Sequence, residues 1–130
     1  MDAPAGLGRG FRRAANAAGT ALIVATADEV SVRGAAAVRA ALQQTEAAEL
    51  RLLLNRYETK AAKRGNYLSI DEAIDKAGIQ LIGVIPEDKE IKYSTVTGSI
   101  RPNCRSAKAF SRIAKRICGE NESLTLSLLR

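Results

Sequence analysis

Apolar residues gather along this chain in two patterns. Short aliphatic runs occur at Ala21-Leu22-Ile23-Val24-Ala25, at Leu52-Leu53-Leu54 and at Ile79-Gln80-Leu81-Ile82-Gly83-Val84-Ile85. They alternate with polar residues weakly or not at all, as strands do when a parallel sheet is covered on both faces. Elsewhere the apolar residues recur at helical spacing. The span from Glu29 to Gln43 sets Val32, Ala35, Val38 and Leu42 on one face. Ser69-Ile70-Asp71-Glu72 reads as a capping box, opening a helix with Ile70, Ala73, Ile74 and Ala77 as its stripe and Gly78 as its stop. A helix is also expected from Gly8 to Ala17. A last one carries Ala107, Phe110, Ile113, Ala114, Ile117 and Cys118 on one side before Gly119. Its other side holds Arg105, Lys108, Arg112, Lys115 and Arg116, and the apolar stripe is expected to face the core. Strands alternating with helices imply right-handed crossovers and an α/β fold.

Composition narrows the picture. A chain of 130 residues is one domain or an incomplete one. It is 46% hydrophobic but only 4% aromatic, so Ala, Ile, Leu and Val must build the core. The net charge of +6 allows attraction to phosphate, nucleic acid or an anionic membrane without selecting among them. With no histidine, an imidazole base and a His–metal site are excluded. Cys104 and Cys118 are too few and too isolated for a metal site or a disulfide framework. The apolar runs fall far short of the roughly 20 residues of a spanning helix, and no signal peptide is read at the N-terminus. A cytoplasmic protein is the expectation.

Ligands of open parallel sheets bind at the carboxyl ends of the strands. Three polar segments follow the aliphatic runs: Thr26-Ala27-Asp28, Asn55-Arg56 and Pro86-Glu87-Asp88. A fourth, Asp2-Ala3-Pro4-Ala5-Gly6, suits the point where a buried strand ends and its loop faces phosphate. Asn55 offers an amide donor and a carbonyl acceptor that match an adenine edge. Arg56 can stack on a base or pair with a phosphate, and Pro86 can lie flat against a purine. Each residue also suits ordinary turn chemistry, so the joint placement carries the inference. Asp2 has two readings: an oxygen ligand holding Mg²⁺ through water, or a cap for the first helix. Lys60, Lys63 and Arg64 read as a solvated basic loop with no interleaved aromatics.

These segments resemble, in the same order, the motifs of a known family. Asp2-Ala3-Pro4-Ala5-Gly6 is similar to D-S-P-A-G, and Glu29-Val30-Ser31-Val32-Arg33 to E-V-S-x-V-R with one residue fewer. Asn55-Arg56-Tyr57 is N-R-Y, and Arg64-Gly65-Asn66-Tyr67-Leu68-Ser69 is similar to R-G-D-M-L-S. Leu81-Ile82-Gly83-Val84-Ile85-Pro86-Glu87-Asp88 reads L-I-G-V-I-P-E-D throughout. The family is that of the MinD division-site ATPases, within the MinD/ParA group of deviant Walker P-loop proteins, and the resemblance covers its C-terminal half.

The resemblance implies a partial P-loop NTPase-like three-layer α/β sandwich of parallel strands, lacking its N-terminal strands and phosphate loop. Residues 1–119 would be the C-terminal half of the ATPase domain and 120–130 a tail. It implies an ATP-dependent switch acting in septum placement. In that scheme Asp2 holds Mg²⁺, Ala3, Pro4 and Gly6 belong to the loop that senses the γ-phosphate, and Asn55, Arg56, Pro86 and Asp88 bind or line the adenine pocket. ATP and Mg²⁺ would bind only together with the missing half. The family partners would be a second copy in an ATP-dependent homodimer, the regulators MinC and MinE, and the inner membrane surface through peripheral contact.

The chain departs from the pattern in several places. It contains no G-x-x-x-x-G-K-[ST], so it is not expected to hydrolyse ATP alone. Gly34 and Ala36 replace acidic residues, which counts against MinC and MinE. Ser94-Thr95-Val96-Thr97-Gly98-Ser99 follows S-x-N-x-G-E only in part. The tail has leucines but no long lysine-rich amphipathic helix. A partitioning ATPase of the ParA kind, or a non-catalytic basic module on membrane or nucleic acid, are the competing readings.

Overall fold

A computed structural model of the protein describes residues 7–43 and 49–124. The segment Asp2 to Gly6, and with it Asp2, Ala3, Pro4 and Gly6, lies outside the described residues, as does the tail beyond Leu124. The described chain forms α1 (Arg9–Ala17), β1 (Thr20–Ala25), α2 (Glu29–Leu42), β2 (Glu49–Tyr57), α3 (Thr59–Lys63), α4 (Ile70–Ala77), β3 (Leu81–Pro86), α5 (Lys89–Thr97) and α6 (Arg105–Ile117). The strands make one parallel three-stranded sheet in the order β1-β2-β3.

Two apolar clusters sandwich that sheet. On one face Ile23, Ala25, Leu52, Leu54 and Leu81 meet Ala15 of α1, Val32, Ala35 and Leu42 of α2, and Ala73 and Ala77 of α4. On the other, Leu53, Ile82 and Ile85 meet Ile113 of α6. The layers are thus helix, sheet, helix, as the aliphatic runs imply. Small residues on α2 and α4 bring those two helices together over the sheet, and Lys76 of α4 reaches Glu29 of α2 at 2.7 Å. The capping box forms: the Glu72 N–H donates to Ser69 Oγ at 3.2 Å and the Ser69 N–H to Glu72 Oε2 at 2.8 Å. Gly78 ends α4 in the left-handed region, at φ 64°.

Helix α6 differs from the expectation. The structure buries Ser106, Ala109 and Ile113, while Phe110 and Ile117 are 45% and 50% exposed. The helix is turned away from most of the stripe expected from spacing because its phase is set by Ser106, outside that stripe, and by Ile113, one member of it. Ser106 is fixed to the end of β3, and Ile113 fits over Gly83. A Cβ built on Gly83 would lie 2.4 Å from Ile113 Cγ1, so only a glycine lets α6 sit this close to the strand. Helix α5, and α3 around Lys60 and Lys63, had no expectation from spacing. The supposed basic loop is in part this short helix, with Arg64 at its C-cap.

Among the described residues, strand β1 is covered on one side only. Ile23 and Ala25 are buried, but Leu22 and Val24, on the α6 side, are 41% and 58% exposed. Helix α6 packs chiefly on β3. An edge strand with apolar residues open to water favours association. The 130-residue chain is therefore expected to self-associate, with a monomer fraction that falls as concentration rises in analytical ultracentrifugation, and Val24→Lys should restore monomer. A concentration-independent monomer with a cooperative unfolding transition would contradict this. Separately, Gly83→Ala should cost about 1–3 kcal/mol in urea unfolding by overpacking the Ile113 contact; an unchanged midpoint would show that α6 can shift freely.

Candidate functional site

The polar segments at the strand ends meet different fates. Asp28 turns inward to its own helix. The Ser31 N–H donates to its carboxylate at 2.9 Å, the Thr26 hydroxyl donates to it as well, and the Thr26 N–H donates to Ser31 Oγ at 3.0 Å. The Thr26 hydroxyl, followed by the Ser31 N–H, holds the Asp28 carboxyl below its ordinary value. Thr26 and Asp28 thus form the cap of α2.

The ends of β2 and β3 instead converge on one cleft of about 410 Å³. Asn55, Arg56, Pro86 and Asp88 all line it, together with Ile85, Glu87, Ile91, Lys92, Ser106 and Phe110. The volume lies in the usual range of small-molecule sites, roughly 300–1,000 Å³. Asn55 and Arg56 do not follow the strand as the sequence suggests. They sit inside β2, where the register with β3 slips between Leu54 and Tyr57. Arg56 there adopts φ 55°, the left-handed region, and it is the one non-glycine residue among those described to do so. Such a conformation is uncommon for a side chain of this size and occurs often at functional sites. The slip lifts both side chains off the ladder. The Arg56 N–H donates back to Asn55 Oδ1 at 2.9 Å, which leaves the Asn55 amide group as a donor without a partner among the described residues.

Arg56 is held by Glu87: its Nε donates to Glu87 Oε2 at 2.9 Å, and Lys92 Nζ lies 3.2 Å from the other carboxylate oxygen. The Arg56 bond is the leading reason that the Glu87 carboxyl lies below its ordinary value, and Glu87 in turn raises the Arg56 guanidinium. Glu87 also closes the sheet end, its N–H donating to the Tyr57 carbonyl at 2.9 Å.

Asp88 builds the far wall. One of its oxygens accepts from the Glu90 N–H at 3.1 Å, capping α5, and the other from the Ser106 N–H at 3.1 Å, in the first turn of α6. The Ser106 hydroxyl, fully buried, donates to the Pro86 carbonyl at 3.2 Å. Cys104 Sγ accepts from the Ala107 N–H at 3.3 Å, so this cysteine serves as a helix cap, and neither cysteine is in a disulfide. Burial pushes the Asp88 carboxyl up, but the N–H groups of Ser106 and Glu90 and the charge of Arg105 outweigh it and leave it below its ordinary value of 3.8. Ser106, Ile91 and Phe110 were invisible as site residues in the sequence because they belong to helices whose packing only the fold supplies.

A depressed carboxyl contributes stability above its unfolded value that is lost as pH falls through the folded one. Asp88→Ala should therefore cost about 0.5–2 kcal/mol at pH 7, where two helix termini lose their acceptor. The gap to the parent chain should narrow as pH drops below 3.8. Unfolding measured across that range would contradict the assignment if the gap stayed constant.

Among the described residues no cluster of acidic and cysteine side chains could hold a metal ion, and no helix is long and apolar enough to cross a membrane. No family model matches the chain. Over 128 residues it is 33% identical to the septum site-determining protein MinD of Bacillus subtilis, a match that covers 95% of this chain and 48% of that protein. The chain thus spans about half the length of this relative. Its fold superposes on MinD in the MinC:MinD cell division protein complex of Aquifex aeolicus with a TM-score of 0.87 at 30% identity, covering 95% of this chain and 52% of that one. It superposes on the septum site-determining protein MinD of Pyrococcus horikoshii, complexed with Mg-ADP, with a TM-score of 0.75 at 26% identity, covering 89% and 48% of the two chains.

Proposed function

The chain is a homologue of the C-terminal half of the MinD septum site-determining proteins, and from that premise we propose that it supplies the adenine-side half of an ATP-dependent switch acting in septum placement. The observation that carries this reading is the joint placement of Asn55, Arg56, Pro86 and Asp88 around one cleft at the carboxyl ends of β2 and β3. The donor set fits a nucleobase. Apolar surface from Pro86, Ile85 and Ile91 can take the ring faces, and the unengaged Asn55 amide can donate to a ring nitrogen. Arg56 and Asp88 serve here as positioning groups, the first through Glu87 and the second through α5 and α6. The Mg-ADP bound by the Pyrococcus relative supports nucleotide and Mg²⁺ as the ligands.

In this reading Asp2 holds Mg²⁺ through water, and Ala3, Pro4 and Gly6 form the loop that responds to the γ-phosphate. The 130 residues hold no phosphate loop, so binding of the terminal phosphates, ATP-dependent homodimerisation and hydrolysis require the other half of the domain. The complex of the Aquifex relative supports MinC as a partner, although Gly34 and Ala36 leave the middle of α2 without the acidic residues expected there. MinE would meet the same altered surface. In this reading the protein acts in the cytoplasm, with any membrane contact peripheral.

Mixing this chain with the phosphate-loop half of a MinD relative should give Mg²⁺-dependent ADP binding in calorimetry that neither half shows alone. Asn55→Ala should weaken it roughly fivefold, the loss of a hydrogen bond worth about 1 kcal/mol. Heat from neither the pair nor its variants would overturn the reading.

A further inference from the structure

We infer that Phe110 is a nucleobase-stacking platform of the cleft, an inference that rests on reading the cleft as the base site. Aromatic residues are scarce in this chain, and its two phenylalanines are placed differently. Phe11, in α1, is packed against the core, whereas Phe110 lines the cleft and is 45% exposed. A phenyl ring left this open forgoes part of its burial, so its position in a cleft wall calls for an occupant with an apolar face.

The ring's placement is not accidental to the helix. Ser106 stands one turn earlier on α6, and its N–H and hydroxyl are pinned to Asp88 and Pro86 at 3.1 and 3.2 Å. Ile113, one turn later, is locked over Gly83. Between these fixed points α6 has no freedom to rotate Phe110 into the sheet. The same cleft offers polar groups: Asn55, with its amide donor, and the Arg56–Glu87 pair. An aromatic and a prolyl surface combined with an edge donor suits a flat heteroaromatic ring with peripheral acceptors. A sugar would satisfy the donor but match little of the flat apolar surface, and an aliphatic chain would use the apolar surface but leave the donor unmet. Stacking of a base on an aromatic side chain adds to affinity, and it tolerates any base because every base has a π-face. Phe110 would thus supply affinity, and Asn55 the choice of base edge.

The test titrates adenosine, and separately ribose 5-phosphate, into the isotope-labelled 130-residue chain mixed with the phosphate-loop half of a MinD relative, the same pair used for ADP binding. Adenosine should shift both the Phe110 ring resonances and the Asn55 side-chain amide, and ribose 5-phosphate should shift neither. Phe110→Ala should weaken adenosine roughly tenfold, and Phe110→Tyr should retain it. Phe110→Leu keeps an apolar side chain at the same exposed position, so it guards against loss of fold, and it should weaken adenosine like the alanine variant. If adenosine shifts the Asn55 amide and all three variants bind it as the parent does, Phe110 is no platform, while the cleft remains the base site. If adenosine shifts neither residue, the reading of the cleft falls and this inference falls with it.

Discussion

The Asp88 carboxylate accepts from the backbone of two helices at once, the Glu90 N–H of α5 and the Ser106 N–H of α6. Helix N-termini leave unpaired donors that must be satisfied, and a carboxylate there also answers the positive end of each helix dipole. One side chain at the end of β3 therefore fixes where both C-terminal helices begin. The Ser106 hydroxyl on the Pro86 carbonyl locks the same joint from the other side. This joint ties the starts of α5 and α6 to the carboxyl end of the sheet, where Asn55, Arg56 and Pro86 line the same cleft.

Close packing makes that joint rigid. Gly83 removes the side chain that would keep α6 off the sheet, and Ile113 takes the vacated space. The small apolar cluster of Leu53, Ile82, Ile85 and Ile113 then seals the α6 side beneath the cleft. The larger cluster on the other face, built with the alanines of α1, α2 and α4, carries most of the buried aliphatic surface. The two sides are unequal at β1, where Leu22 and Val24 lack a covering layer among the described residues. That asymmetry agrees with a chain that matches about half the length of its MinD relatives.

Strain is concentrated at the opposite wall. Arg56 takes a left-handed conformation inside a strand, and the register slip around it costs ladder hydrogen bonds. The Asn55 oxygen and the Glu87 carboxylate recover part of this locally. A sequence optimised for the sheet alone would not place Asn-Arg at this point, because neither residue favours a central strand. The strain is understandable if both side chains must leave the ladder and face a ligand.

The sequence alone determined the elements whose signals are local. Unbroken aliphatic runs specify the three strands, although β1 keeps Leu22 and Val24 open on one face, and the pattern at Ser69 to Glu72 specifies a helix start through reciprocal hydrogen bonds within four residues. The strand-end rule and the motif order also brought Asn55, Arg56, Pro86 and Asp88 forward as a set. Only the tertiary structure decided which strand-end segments share a cleft, since Asp28 and Thr26 could equally have faced it but are consumed in capping α2. It alone decided the phase of α6. Apolar spacing there suggested one face, but hydrogen bonds to β3 and a contact with Gly83, more than twenty residues away, selected another. Such contacts join residues distant in the chain, so no local periodicity records them, and the exposure of Phe110 follows from them.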